Sequence, residues 1–224
     1  MDTSSGRVLE QGDAPSLAEN VYQSLRTAIL HGIYRPNQRL VETVIAEELG
    51  ASRTPVREAL QRLGNEGLIT KSRHAWLVRE FTVDEIREIY EVRAALEGHA
   101  ARLAAQRATD EDIARLAELI NEQRAKMSDT SVTRSAVVDL NDRFHDAVIA
   151  AAGNQRLGAF IKTNRMYYFN YRLASLYTDE QVVKSLEEHE ELFEAIRNRE
   201  PDKADEIVRA HINIALELIE KHLA

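Results

Sequence analysis

The chain has 224 residues, 44% of them hydrophobic, a formal net charge of −8 and no cysteine. That is apolar material for one large or two modest domains, and it excludes disulfides, thiolate metal sites and a cysteine nucleophile. The acidic balance argues against a general nucleic-acid coat protein, no run of about 18 apolar residues offers a membrane span, and the polar amino end lacks the apolar stretch of a secretory signal.

Residues 1–14 read as a disordered polar tail. Over about 17–31, Val21, Leu25 and Ile29 recur at helical spacing. Thr43 is placed to cap a short second helix running to about Leu49, with Val44, Ile45 and Leu49 on its apolar side. Gly50 ends it, because a helix C-terminus often needs positive φ. Ser52 is a natural N-cap for a third helix, with Arg53, Thr54 and Pro55 in its first turn. Val56, Ala59, Leu60 and Leu63 form its buried stripe, which leaves Thr54, Arg53, Arg57 and Gln61 on the other side. Gly67 stops it, and residues 68–71 and 76–79 read as two strands joined by the basic tip Ser72-Arg73-His74.

Helix, turn, helix and two-stranded ribbon in that order make a winged helix-turn-helix over residues 15–80, a device that sets one helix in the DNA major groove. From Ser52 to Arg79 six Lys/Arg stand against two acids, a local net charge of +4 in an acidic chain. A basic island of this kind suits phosphate contact.

Beyond Arg79 strand character vanishes. Thr82-Val83-Asp84-Glu85 is a capping box opening a helix to about Gln106. Further helices are predicted over about 109–127, 135–152, 154–174, 178–198 and 201–223, hence an all-helical antiparallel bundle of six or seven helices over 81–224. His145, His189 and His211 each lie on the apolar stripe of a different helix. His189 is eleven residues before Glu200, where the last two helices turn, and His211 eleven after. At a 1.5 Å rise both are about 16 Å from the turn, so they meet at one level. Asn141 stands four residues before His145, on the same face. Three imidazoles and an amide oxygen suit a divalent ion of the Zn, Ni or Mn type. Three unrelated core histidines, each satisfied by a hydrogen bond, account for the same pattern.

Four neutral ligands leave such an ion's charge uncompensated, which favours a small carboxylate, an organic or sugar acid, as the bound effector. Arg93, on the stripe of Ile86, Tyr90, Leu96 and Ala100, needs an anionic partner, either such an acid or an internal Glu such as Glu97. Tyr167, Tyr168, Asn170, Tyr171 and Arg172 form a polar-aromatic patch that suits a pocket wall or simple packing. Glu188 and Glu190 flank His189 and are expected to point away from its face. No HExxH and no nucleophile–base pair is apparent, so no enzymatic activity is expected.

The first half resembles the DNA-binding domain of the GntR family of bacterial transcription regulators. Leu25, Ile29, Gly32, Pro36, Leu40, Ala46, Leu49, Gly50, the run SRTPVREAL from Ser52 to Leu60, Arg62-Leu63 and Glu66-Gly67-Leu68 carry the match. Pro36-Asn37 stands where the family usually has Pro-Gly, and His74-Ala75 where its wing usually has Gly. The resemblance implies that Arg53, Thr54 and Arg57 contact DNA, with Thr43, Ser52, Arg62 and His74 as further contacts.

The second half resembles the FCD ligand-binding domain of the FadR subfamily, through Arg93, Leu96-Glu97, Ala100-Ala101, Phe144-His145, Ala152-Gly153-Asn154, His189 and His211. That implies Asn141, His145, His189 and His211 as metal ligands. Asp is commoner at the first of these positions, and Asp142 is a possible substitute. It also implies a cytoplasmic homodimer on palindromic double-stranded operator DNA. A direct metal sensor and a His-ligated metalloenzyme with a DNA-binding head are the alternatives.

Overall fold

The computed structural model describes residues 16–73, 75–127, 133–164 and 177–223. The chain divides into two compact units, Met1–Arg79 and Glu80–Ala224.

The first unit holds α1 (Leu17–Leu30), β1 (Arg39–Leu40), α2 (Glu42–Glu48), α3 (Arg53–Asn65), β2 (Ile69–Ser72) and β3 (Ala75–Val78). Ser16 caps α1, its hydroxyl accepting from the Glu19 amide at 3.2 Å. α1 and α3 pack through Leu25, Ile29, Val56, Leu60 and Leu63, all essentially inaccessible. Each such aliphatic side chain contributes about 1.5–3 kcal/mol by leaving water.

The expected two-stranded ribbon gains a third strand. The short β1 pairs with β3, giving the antiparallel order β1-β3-β2 with Leu40 opposite Trp76. A two-residue strand carries no alternation to read, so only pairing reveals it. Asn37 takes φ +64°, so the turn accepts Asn where a Gly would serve. The second helix also departs from expectation. Val41, not Thr43, is its N-cap, and Thr43 lies exposed inside α2. Its buried face is Ile45 and Ala46, while Val44 and Leu49 are exposed. Seven residues are too few for periodicity to fix a face. Ser52 does hold the N-cap position of α3, though its side chain makes no capping hydrogen bond among the described residues.

The second unit holds α4 (Val83–Arg107), α5 (Asp110–Met127), α6 (Arg134–Ala151), α7 (Gln155–Asn164), α8 (Asp179–Arg197) and α9 (Pro201–Leu223). Capping boxes at Thr82/Glu85 and Thr178/Gln181 open α4 and α8. α4 is the central strut: it lies along α9 and meets α6, α7 and α8. Gly98 allows the close approach to α9, since a Cβ there would fall 2.3 Å from Asp205 Oδ1. α5 packs on α6 and α8, which closes the bundle around Tyr90, Phe144, Leu116 and Leu119. The tail 1–14, His74 and the patch Tyr167, Tyr168, Asn170, Tyr171 and Arg172 lie outside the described residues.

Candidate nucleic-acid interface and metal centre

In the first unit α3 buries Val56, Ala59, Leu60 and Leu63 and so turns Arg53, Thr54 and Arg57 outward, all exposed. A carboxylate missing from the expected set organises them. Glu42, in the first turn of α2, takes Arg57 Nη2 at 3.0 Å and Arg57 Nε at 3.1 Å. Arg53 Nη2 stands 3.5 Å from the same oxygen. The Arg57 guanidinium, and less strongly Arg53, holds the Glu42 carboxyl below its ordinary range. Glu42 therefore stays ionised and orients both forks while cancelling part of their charge. Glu42→Gln is expected to raise affinity for random-sequence duplex about 3- to 10-fold and to steepen the salt dependence between about 50 and 200 mM. Fluorescence anisotropy at the two salt concentrations checks this, and unchanged curves would place these arginines off the phosphate path.

Arg62 faces elsewhere. It pairs with Glu19 at 2.6 Å and its guanidinium lies 3.6 Å over the Tyr22 ring. It is a brace between α1 and α3, with half of its side chain still exposed. Being late in α3, it points back over α1 rather than along the helix's exposed front.

In the second unit, α6, α8 and α9 bring His145, His189 and His211 into one cluster. Their ring centroids form a near-equilateral triangle with sides of 5.0, 5.1 and 5.0 Å. Ligand nitrogens of the three lie within 4.8 Å of one another. The hairpin counting for His189 and His211 is thus realised. Asn141, one turn before His145, lines the same cavity, and its Nδ2 donates to Asp142 Oδ1 at 3.2 Å. The Asn141 amide oxygen is therefore its remaining ligating atom. Asp142 does not join the three-histidine cluster among the described residues.

Outer partners set the tautomers. His189 Nδ1 donates to Gln123 Oε1 at 2.8 Å, and the opposite nitrogen, Nε2, is buried without a hydrogen-bond partner among the described residues. His211 Nδ1 donates to Glu188 Oε2 at 2.7 Å. His145 Nδ1 stands 4.0 Å from Glu97 Oε2. Burial, and then the neighbouring His211, hold the His189 pKa well below the ordinary imidazole value, so the ring is neutral at pH 7. A buried, neutral imidazole with an unpartnered Nε2, clustered with two others, is the donor set a divalent ion requires. The residues fit the ion.

Arg93 is 6% exposed and Glu97 2% exposed. They form a buried pair, Arg93 Nε to Glu97 Oε1 at 3.0 Å, with the guanidinium 4.7 Å from the Tyr90 ring centroid. The internal partner is therefore present, yet Arg93 still lines the cavity that holds the histidines. The cavity has a volume of about 90 Å³.

Three partners escaped the sequence. Gln123 shares the buried stripe of Leu116, Leu119 and Ile120, and a polar residue on such a stripe is the same signal the histidines gave. Glu42 and Glu188 carried no such mark. Glu188, expected to point away from the face of His189, reaches His211 of the antiparallel neighbour.

Residues 88–214 match the FCD domain, and residues 17–78 match the gntR family of bacterial regulatory proteins. The chain is 33% identical over 180 residues to the Nta operon transcriptional regulator of Aminobacter aminovorans, covering 80% of this chain and 83% of that one. It is 27% identical over 212 residues to the galactonate operon transcriptional repressor of Escherichia coli, covering 84% and 90%. The solved structure of E. coli McbR/YncC superposes with a TM-score of 0.77 at 26% identity, covering 92% of this chain and 99% of that one. Matched along both halves, the chain belongs to the GntR family of bacterial regulatory proteins, carries an FCD domain, and is a transcription regulator.

Proposed function

We propose that this regulator is a homodimeric repressor of the FadR subfamily that releases a palindromic operator when a small organic or sugar acid binds beside a metal ion in the helical unit. The observation that carries the sensing half is the histidine triangle on the cavity wall, in which the buried His189 Nε2 has no hydrogen-bond partner among the described residues.

Asn141, His145, His189 and His211 would hold the ion. When bound, it supplies positive charge and an open coordination position for a carboxylate. Gln123 and Glu188 keep two of the rings turned correctly. Arg93 adds a cation on the same wall, its own charge balanced by Glu97. The name of the galactonate operon repressor makes a sugar acid a reasonable ligand class.

On the DNA side, Arg53, Thr54 and Arg57 would meet phosphates and base edges, with Thr43 and Ser52 exposed at the same end of the helix pair. Two heads would read half-sites about one helical turn, 34–36 Å, apart. α4 carries Tyr90 and Arg93 and begins at Val83, with four residues between it and the end of β3. It is the element through which cavity occupancy would bias the heads, provided the acid binds one arrangement of the dimer more tightly.

The test is a thermal-shift screen of organic and sugar acids on chelator-treated protein, with and without added zinc, nickel or manganese. An acid at about 100 times its dissociation constant stabilises by about 2.7 kcal/mol, a rise of about 5–10 °C for a chain of this size. His211→Ala should lose most of that rise. An equal rise without metal, or in the variant, would refute the metal-assisted site. Operator release by metal alone would instead favour the direct metal sensor, for which the chain already supplies the three imidazoles.

A further inference from the structure

Gln123 is 8% exposed and lines the cavity beside His189 and Asn141. Its Oε1 accepts from His189 Nδ1, but its Nε2 has no hydrogen-bond partner among the described residues. Native interiors keep very few buried donors in that state, so the amide calls for an acceptor; Nε2 itself exposes essentially no surface, so a ligand oxygen reaches it as the cavity wall shifts to admit the ligand. It cannot escape by turning over. A reversed amide sets its N–H against His189 Nδ1, which must then accept, and the ring proton moves to Nε2. That is the one ring nitrogen His189 has left for an ion, its Nδ1 being held by Gln123. Reversal and metal ligation by His189 therefore exclude each other.

We propose that Gln123 is an effector-binding residue: its Nε2 amide donates to an oxygen of a carboxylate or hydroxy-acid ligand, and metal ligation by His189 holds the amide in the orientation that presents this donor. The inference rests on the metal-assisted acid site proposed above and adds a contact that fixes the ligand's chemistry. The ligand must offer an acceptor oxygen at this wall, and a ligand made only of donors or of apolar groups leaves the amide unsatisfied. Ion and acid then bind with positive coupling, because each favours the same amide orientation.

Acetate is the probe, since one of its oxygens can reach an ion and the other an amide. ¹⁵N-labelled protein, zinc-loaded or chelator-treated, is titrated with acetate while the glutamine side-chain amides are followed by NMR. The Gln123 pair is identified by its absence from both Gln123→Glu and Gln123→Leu. In zinc-loaded wild type, acetate should shift the Gln123 amide resonances, and without zinc it should not. Gln123→Glu keeps the acceptor for His189 Nδ1 and loses the donor. It should retain zinc by chelator competition while binding acetate at least about 10-fold more weakly. Zinc and acetate binding in wild type with unmoved Gln123 resonances overturns this inference alone, as does wild-type acetate affinity in both variants. Failure of the wild type to take up zinc overturns the metal site and this inference with it.

Discussion

Arg57→Ala lowers affinity for an operator selected from a random duplex pool by about 30- to 25,000-fold, because one lost phosphate or base contact costs about 1–3 kcal/mol and the dimer proposed above loses it twice. The salt slope falls by about one unit per lost phosphate contact. Part of the loss comes from Glu42. With Arg57 gone, its carboxylate keeps, among the described residues, the Arg53 contact at 3.5 Å and presents negative charge toward the phosphates. The pair Glu42→Gln, Arg57→Ala should therefore recover some of the lost affinity, a non-additivity expected of side chains in direct contact. The bundle is untouched, so far-UV circular dichroism should not change. Retained operator affinity with an unchanged salt slope would remove α3 from the DNA interface.

His189→Ala is the largest change expected in the second unit. Metal affinity should fall by more than about 100-fold, since disturbing an outer partner alone costs about 10- to 100-fold. Competition with a chromophoric chelator reads this directly, and full metal occupancy of the variant would exclude the site. The metal-free protein should also lose stability. His189 is fully buried and stacks on Phe144 at 4.7 Å between ring centroids, and its removal leaves Gln123 Oε1 without its donor. Melting chelator-treated wild type beside the variant separates this packing loss from the loss of metal.

Local sequence rules carried much of the fold. Caps and turn residues are short-range devices, so Thr82/Glu85, Thr178, Pro201 and Gly67 marked element ends that the structure reproduces. The same rules failed where an element is too short to show a period. β1 has two residues and α2 seven, so the third strand, the true cap Val41 and the exposed Val44 were not legible. Arg93 shows another limit. Its place on an apolar stripe required an anion, but only packing could show that Glu97 provides one while Arg93 still lines the cavity.

The order of residues alone determined that a basic helix-turn-helix precedes an acidic helical domain, and that three histidines occupy buried stripes. Those are facts of spacing and charge, which act within a few residues along the chain. Tertiary structure alone decided which side chains hold the rings and the arginines: Gln123 on His189 and Glu188 on His211, from 66 and 23 residues away, and Glu42 on Arg57, from 15. Hydrogen bonds act over about 3 Å, and no local pattern encodes which distant helix face comes within that distance.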